Sequence, residues 1–237
     1  MVTVEASRRL GHLVFRQYST IWLRPLGYIS LLAGLFGLMV WLELKGPGMN
    51  LQVMTPASPV LGTSEYSWPE CLQLLLLGVI ALMAAHSVRL LPVQRPVSVL
   101  LLAMAGAAFI RECDWFLDVY VRDHVWQLLL GSLVVSVTVY LVRSGAALRI
   151  AVSRVQTSIG FALIGSAVAG LLVFSNIIGH APLWIALLGD DYSRVAKLAI
   201  EELSELFCYW LWFTGQCEYW VDCRRRSGFG RGRRKAR

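Results

Sequence analysis

Six stretches of this chain are long and apolar enough to cross a lipid bilayer, and few folds are open to a chain built that way. A span needs roughly 20 mainly apolar residues, and in hydrocarbon every backbone polar group must find its partner within the protein. The stretches run from Ile21 to Leu42, Pro69 to Leu91, Val97 to Tyr120, Val125 to Val142, Gln156 to Ile178 and Lys197 to Val221. The 237 residues are 57% hydrophobic and only 16% charged, more apolar than the core of a soluble domain of this length requires. The expected fold is all-α, a polytopic membrane bundle of six transmembrane helices over residues 21–221.

Basic residues set the expected orientation, because cytoplasmic segments are enriched in Lys and Arg. With the N-terminus inside, the inner side collects seventeen of them: Arg8, Arg9, Arg16, Arg24, Arg89, Arg95, Arg143, Arg149, Arg154 and the eight of the C-terminal tail. Only Lys45, Arg111, Arg122, Arg194 and Lys197 fall on the other side or in the outer half-membrane. This asymmetry predicts a multi-pass protein of the plasma (inner) membrane with both termini cytoplasmic. The net charge of +7 is thus first an orientation signal. No cleavable leader is expected, since some twenty polar and basic residues precede the first apolar run and that run is too long for a signal sequence.

Two flanking segments complete the organisation. Residues 1–20 place Leu10, Leu13, Val14 and Tyr18 on one helical face and Arg9, His12 and Arg16 on another, the pattern of an amphipathic helix lying in the membrane interface. Residues 222–237 are Arg- and Gly-rich and predict a disordered cytoplasmic tail drawn to anionic lipid, at about 1 kcal/mol per basic residue near the surface. No nucleic-acid partner is expected beyond the bilayer itself. The five cysteines contain no Cys-x-x-Cys pair and indicate neither a disulfide framework nor a zinc ribbon. In the fifth span, Gly160, Gly165 and Gly170 recur among other small residues, which predicts close helix packing. The long segment from Glu43 to Trp68 reads as a loop, and Pro92 to Pro96 as a compact turn.

Charges inside the spans are the lead to function, since an Arg or Asp near a helix centre costs about 2.5 to 3.5 kcal/mol on insertion scales. The third span ends in Arg111-Glu112-Cys113-Asp114-Trp115-Phe116-Leu117-Asp118, and the sixth opens with Glu201-Glu202-Leu203-Ser204-Glu205. At 100° per residue, Arg111, Asp114 and Asp118 share one face of a continuous helix, while Tyr209, Trp212 and Gln216 carry the stripe of Glu201, Glu202 and Glu205 inward. Counting about 1.5 Å per residue from the cytoplasmic ends puts Arg111 at roughly 21 Å and Glu205 at roughly 24 Å. If the two faces meet they form an outward-opening acidic pocket with a guanidinium floor.

Such a pocket has three readings. It can bind or transport a small cation or proton through Arg111, Glu112, Asp114, Asp118, Glu201, Glu202 and Glu205, with His124 near its mouth, and crowded carboxylates that compete for shared protons suit proton exchange. As a metal site, Asp114, Asp118, Glu201 and Glu205 offer hard oxygen ligands that favour Mg, Ca or Mn over zinc, which would also serve a metal-dependent hydrolase acting on a lipid-like substrate. As structure, Arg111 with Glu205 or Glu112 is a pair that fixes helix register in an assembly subunit. The chain has no His-Glu-x-x-His, no Gly-x-Ser-x-Gly and no helically spaced His pair, so metalloprotease and serine-hydrolase motifs are absent. His86 near the inner end of the second span reads as a hydrogen-bonding group.

Overall fold

A computed structural model of the chain describes residues 24–41, 44 and 68–234. The expected interfacial helix of residues 1–20 and nearly all of the loop before Trp68 lie outside the described residues. The chain divides into two compact units, Met1–Met49 and Asn50–Arg237. The first contributes one helix, α1 (Arg24–Trp41), whose 18 residues are apolar enough to cross a membrane and present Ile29, Leu31, Leu38 and Trp41 on their surface.

The second unit is a bundle of helices: α2 (Trp68–Leu90), α3 (Arg95–Glu112), α4 (Asp114–Tyr120), α5 (Val125–Arg143), α6 (Gly145–Val155), α7 (Ile159–Ala169), α8 (Asn176–Ile178), α9 (Ala181–Leu188) and α10 (Arg194–Arg234). A π-helical segment, Gly170–Ser175, joins α7 to α8, and a 3-10 turn, Gly189–Asp191, follows α9. α2 and α3 form a hairpin whose turn is closed by the Gln94 amide donating to the Leu91 carbonyl at 3.1 Å. Pro96 sits in the first turn of α3, where the ring removes an amide that would have no helical partner. α10 packs along both α2 and α7, α3 lies on α2, and α5 and α6 lie on α3.

Small residues allow the closest of these contacts. A Cβ added to Gly160 would stand 2.7 Å from the Gly215 carbonyl oxygen and 2.8 Å from the Tyr219 Cα, so the backbones of α7 and α10 touch there. A Cβ on Gly170 would stand 2.7 Å from the Cys208 sulfur, whereas one on Gly165 would meet nothing within 4 Å. Gly160 and Gly170 therefore seat α7 on α10, and Gly165 faces elsewhere.

The core mixes apolar and polar groups while the rim is apolar. Leu77, Ile80, Leu101, Ile164, Leu206 and Trp212 are buried, and so are Gln73, Ser87, Ser98, Ser175, Glu205, Thr214 and Gln216. Leu82, Leu128, Val135, Val142 and Leu172 stand exposed on the outside. An apolar rim around a polar interior suits a bilayer as solvent. Among the described residues, four helices are long and apolar enough to cross a membrane, or five if α3 and α4 count as one span. α10 does not join that count on composition because its carboxylates interrupt the apolar run.

One expectation changes, and further helix lies outside the expected spans. The third span is not continuous to Tyr120: it breaks at Cys113, and α3 and α4 are bent by 57°. Asp114 begins the new helix and its Oδ1 accepts the Trp115 amide at 2.6 Å, satisfying one of the donors a helix start exposes. The connection after Arg143 is a helix, α6, which buries Ala151 and Val155 and packs on α3. The connection after Gly179 contains α9, a short apolar helix with no buried residue, whose Trp184 indole donates to the Ile178 carbonyl at 2.5 Å. Finally, α10 runs on to Arg234, so no break in structure separates a tail at residue 222; extending an established helix costs far less than starting one.

Candidate functional site

The site grows from the spacing of residues on α10. Glu202, Glu205, Tyr209, Trp212, Gln216, Tyr219 and Cys223 are separated alternately by three and four positions, which stacks them on one face. From Glu205 to Cys223 every one of them is buried. A helix whose most polar stripe is also its most buried one must find partners for that stripe on its neighbours.

At the end where α10 starts, the partners are present. Gln73 of α2 donates its Nε2 to the Glu202 carboxylate at 3.0 Å and to the Glu202 carbonyl at 3.1 Å. Arg111 of α3 lies 3.4 Å from Glu205, and Ser175 of the π-helical segment donates its hydroxyl to the same carboxylate oxygen. Tyr209 donates its hydroxyl to Glu112 of α3 at 2.7 Å. Glu202 lies within electrostatic reach of Glu70, Glu205 and Glu112, and Glu112 within reach of Glu205, Arg111 and Asp114. The pairing is uneven in kind: Glu205 has a cation, while the hydrogen bonds to Glu112 and Glu202 come from a phenol and an amide.

The expected site residues thus separate into two groups. Arg111, Glu112, Glu202 and Glu205 come together around α10. Glu201 takes the Lys197 ammonium at 2.6 Å, one turn back along the same helix. Asp114 and Asp118 ride on α4, which packs on α5, and each spends an oxygen on a backbone amide: Asp114 on Trp115 and Asp118 on His124 at 2.9 Å. His124 is exposed with φ of 67°, and the bond it makes to Asp118 comes from its backbone rather than its ring. His86 sits at the other end of the bundle with its ring 6.3 Å from that of Trp220.

These placements correct the metal expectation. Among the described residues, no three His, Cys, Asp or Glu side chains are arranged to hold an ion, so Asp114, Asp118, Glu201 and Glu205 do not form a cage for Mg, Ca or Mn. The reason is the bend at Cys113, which takes both aspartates out of the face assumed for a continuous helix. Three site residues were not foreseen as such. Glu70 and Gln73 open the second apolar run, and their i, i+3 spacing on an otherwise aliphatic helix was the available signal. Ser175 had none, because its place depends on the π-helical segment, a feature frequent at functional sites.

At the other end, Ser98 Oγ and Tyr219 OH lie 3.0 Å apart and share a hydrogen bond. Between the two ends, the Trp212 indole nitrogen and both polar atoms of Gln216 are buried with no hydrogen-bond partner among the described residues. No family model, curated protein or solved structure matches the chain.

Proposed function

We propose that this is a plasma-membrane protein that takes up protons at its carboxylate cluster and passes them across the bilayer. One observation carries the reading: Glu202 lies near Glu205 in the bundle with a neutral hydrogen-bond donor and no cation among its described partners, so a proton can neutralise it without breaking an ion pair. A proton needs a single oxygen, whereas a divalent cation wants six or more ligands. Gln73 adds support, since its Oε1 is a buried acceptor with no described partner next to Glu202, and a protonated carboxyl group would supply the missing donor.

In this reading α10 is the sixth span, its carboxylates shielded from lipid by α2, α3 and the π-helical segment. The cluster faces outward, both termini are cytoplasmic, and the Arg-rich end of α10 lies against anionic lipid on the inner surface. α9, apolar and unburied, lies in the outer interface with Trp184 as its anchor.

Purified protein in liposomes holding a pH-sensitive dye tests the reading. Under an imposed inside-negative potential the lumen should acidify faster than in protein-free liposomes, and a chelator of divalent ions should leave the rate unchanged. Acidification no faster than in protein-free liposomes overturns the proposal, and loss of flux in chelator points back to a metal.

A further inference from the structure

The carboxylate cluster occupies one half of the bundle, and a proton released from it toward the cytoplasm has the rest of α10 to travel. Along the same face lie Tyr209, Trp212, Gln216 and Tyr219, neighbours at helical spacing whose side chains are 2% exposed or less. The first is tied to Glu112 and the last to Ser98, so both ends of this stretch are anchored on α3.

The two residues between them are anomalous. Gln216 is fully buried, and neither its Nε2 donor nor its Oε1 acceptor has a partner among the described residues; the Trp212 indole N–H, one turn away, has none either. Each such buried group costs about 1 to 3 kcal/mol if nothing meets it, and ordered water is the usual remedy. Apolar residues of similar size would fill the same space without that cost. Two donors and an acceptor, adjacent on one face and between two hydroxyl-bearing pairs, are the polar partners that a bound water requires.

We propose that Trp212 and Gln216 hold a short file of water that joins the Glu112–Tyr209 pair to the Tyr219–Ser98 pair and carries protons between them. The inference rests on the proton reading above and supplies its route to the far side. Transfer along the file needs no other reactant. Each oxygen accepts a proton from the one before and releases another to the one after, and the groups return to their starting state when the file reorients. Gln216 does not titrate in this scheme: it orients water by donating through Nε2 and accepting at Oε1, while Trp212 donates.

The experiment compares dye-loaded liposomes bearing wild-type protein, Gln216→Met and Trp212→Phe at equal protein density, together with melting of each protein in detergent. Gln216→Met keeps the length and volume of the side chain, Trp212→Phe shortens the ring system, and both remove the unmatched polar atoms. The expected result is proton flux at least tenfold slower for Gln216→Met and several-fold slower for Trp212→Phe, with the melting temperature of Gln216→Met at or above wild type and that of Trp212→Phe lowered by the void it leaves. Wild-type flux in Gln216→Met overturns the water file while leaving the carboxylate reading intact, whereas a silent wild type removes that reading itself. Should Gln216→Met fail to fold, Trp212→Phe decides alone, and undiminished flux there overturns the file.

Discussion

α5 and α10 are both long enough to span a bilayer, and their fates are opposite. α5 is rich in Leu and Val and buries no residue, and Leu128 is 75% exposed at its surface. α10 is interrupted by Glu201, Glu202, Glu205 and Glu218, yet it packs along α2 and α7 and buries Glu205, Tyr209, Trp212, Gln216 and Tyr219. In water the apolar helix would be drawn inward. In lipid the order reverses, because hydrocarbon solvates Leu and Val as well as a protein core does, and only the interior offers partners for Glu and Gln. The helix that looks least like a span is the one the bundle is built around.

Substitutions on the two helices can break or sharpen that contrast. The largest effect is expected where α7 meets α10: Gly160→Leu drives a side chain into the Gly215 carbonyl and the Tyr219 backbone, and should cost about 3 kcal/mol or more, read as loss of a cooperative melt in detergent. Its counterpart on α5, Gly131→Leu, adds a side chain where a Cβ meets nothing within 4 Å. Helix propensity then favours the variant by up to about 1 kcal/mol, and its melting temperature should hold or rise.

Arg111→Ala comes next. It leaves Glu205, whose side chain is 6% exposed, without its cation, but the guanidinium it removes is 53% exposed. Fully buried pairs lose about 3 to 5 kcal/mol when one partner goes, so the expected cost here is about 2 to 3 kcal/mol. Tyr209→Phe should cost about 1 to 2 kcal/mol, since it removes one donor from Glu112 and keeps the packing of the ring. At the bottom of the scale, Leu128→Ala on α5 should shift stability by less than about 0.5 kcal/mol. If Leu128→Ala proved as damaging as Arg111→Ala, α5 would be an interior helix in the working assembly and the contrast would fail.

The sequence already carried the membrane character and much of this polarity, and the reasons it stopped short are local. Counting rise per residue brings Arg111 and Glu205 to similar depth, and the structure joins them at 3.4 Å. The same counting fails for Asp114 and Asp118, because a helical wheel assumes an unbroken helix and Cys113, with neither Pro nor Gly beside it, gives no warning of a 57° bend. α6 was legible in principle: Leu148, Ala151, Val152 and Val155 recur at helical spacing, with Arg149 and Arg154 between them. Ser175 was not, since a π-helical segment shifts the register of a face without leaving a mark in composition. The stripe from Glu202 to Gln216 could be read directly, but which of its groups would be paired depended on side chains from α2, α3 and the π-helical segment that no local pattern connects to it.

The central claim is that the carboxylates clustered on α10 handle protons rather than merely hold helices together, and Glu202→Gln tests it most directly. The amide keeps the shape and can still take the hydrogen bond from Gln73, while it can no longer gain or lose a proton. Proton flux into dye-loaded liposomes at equal protein density should fall at least tenfold relative to wild type while the melting temperature stays within a few degrees. Flux equal to that of wild type in a well-folded Glu202→Gln protein would contradict the account.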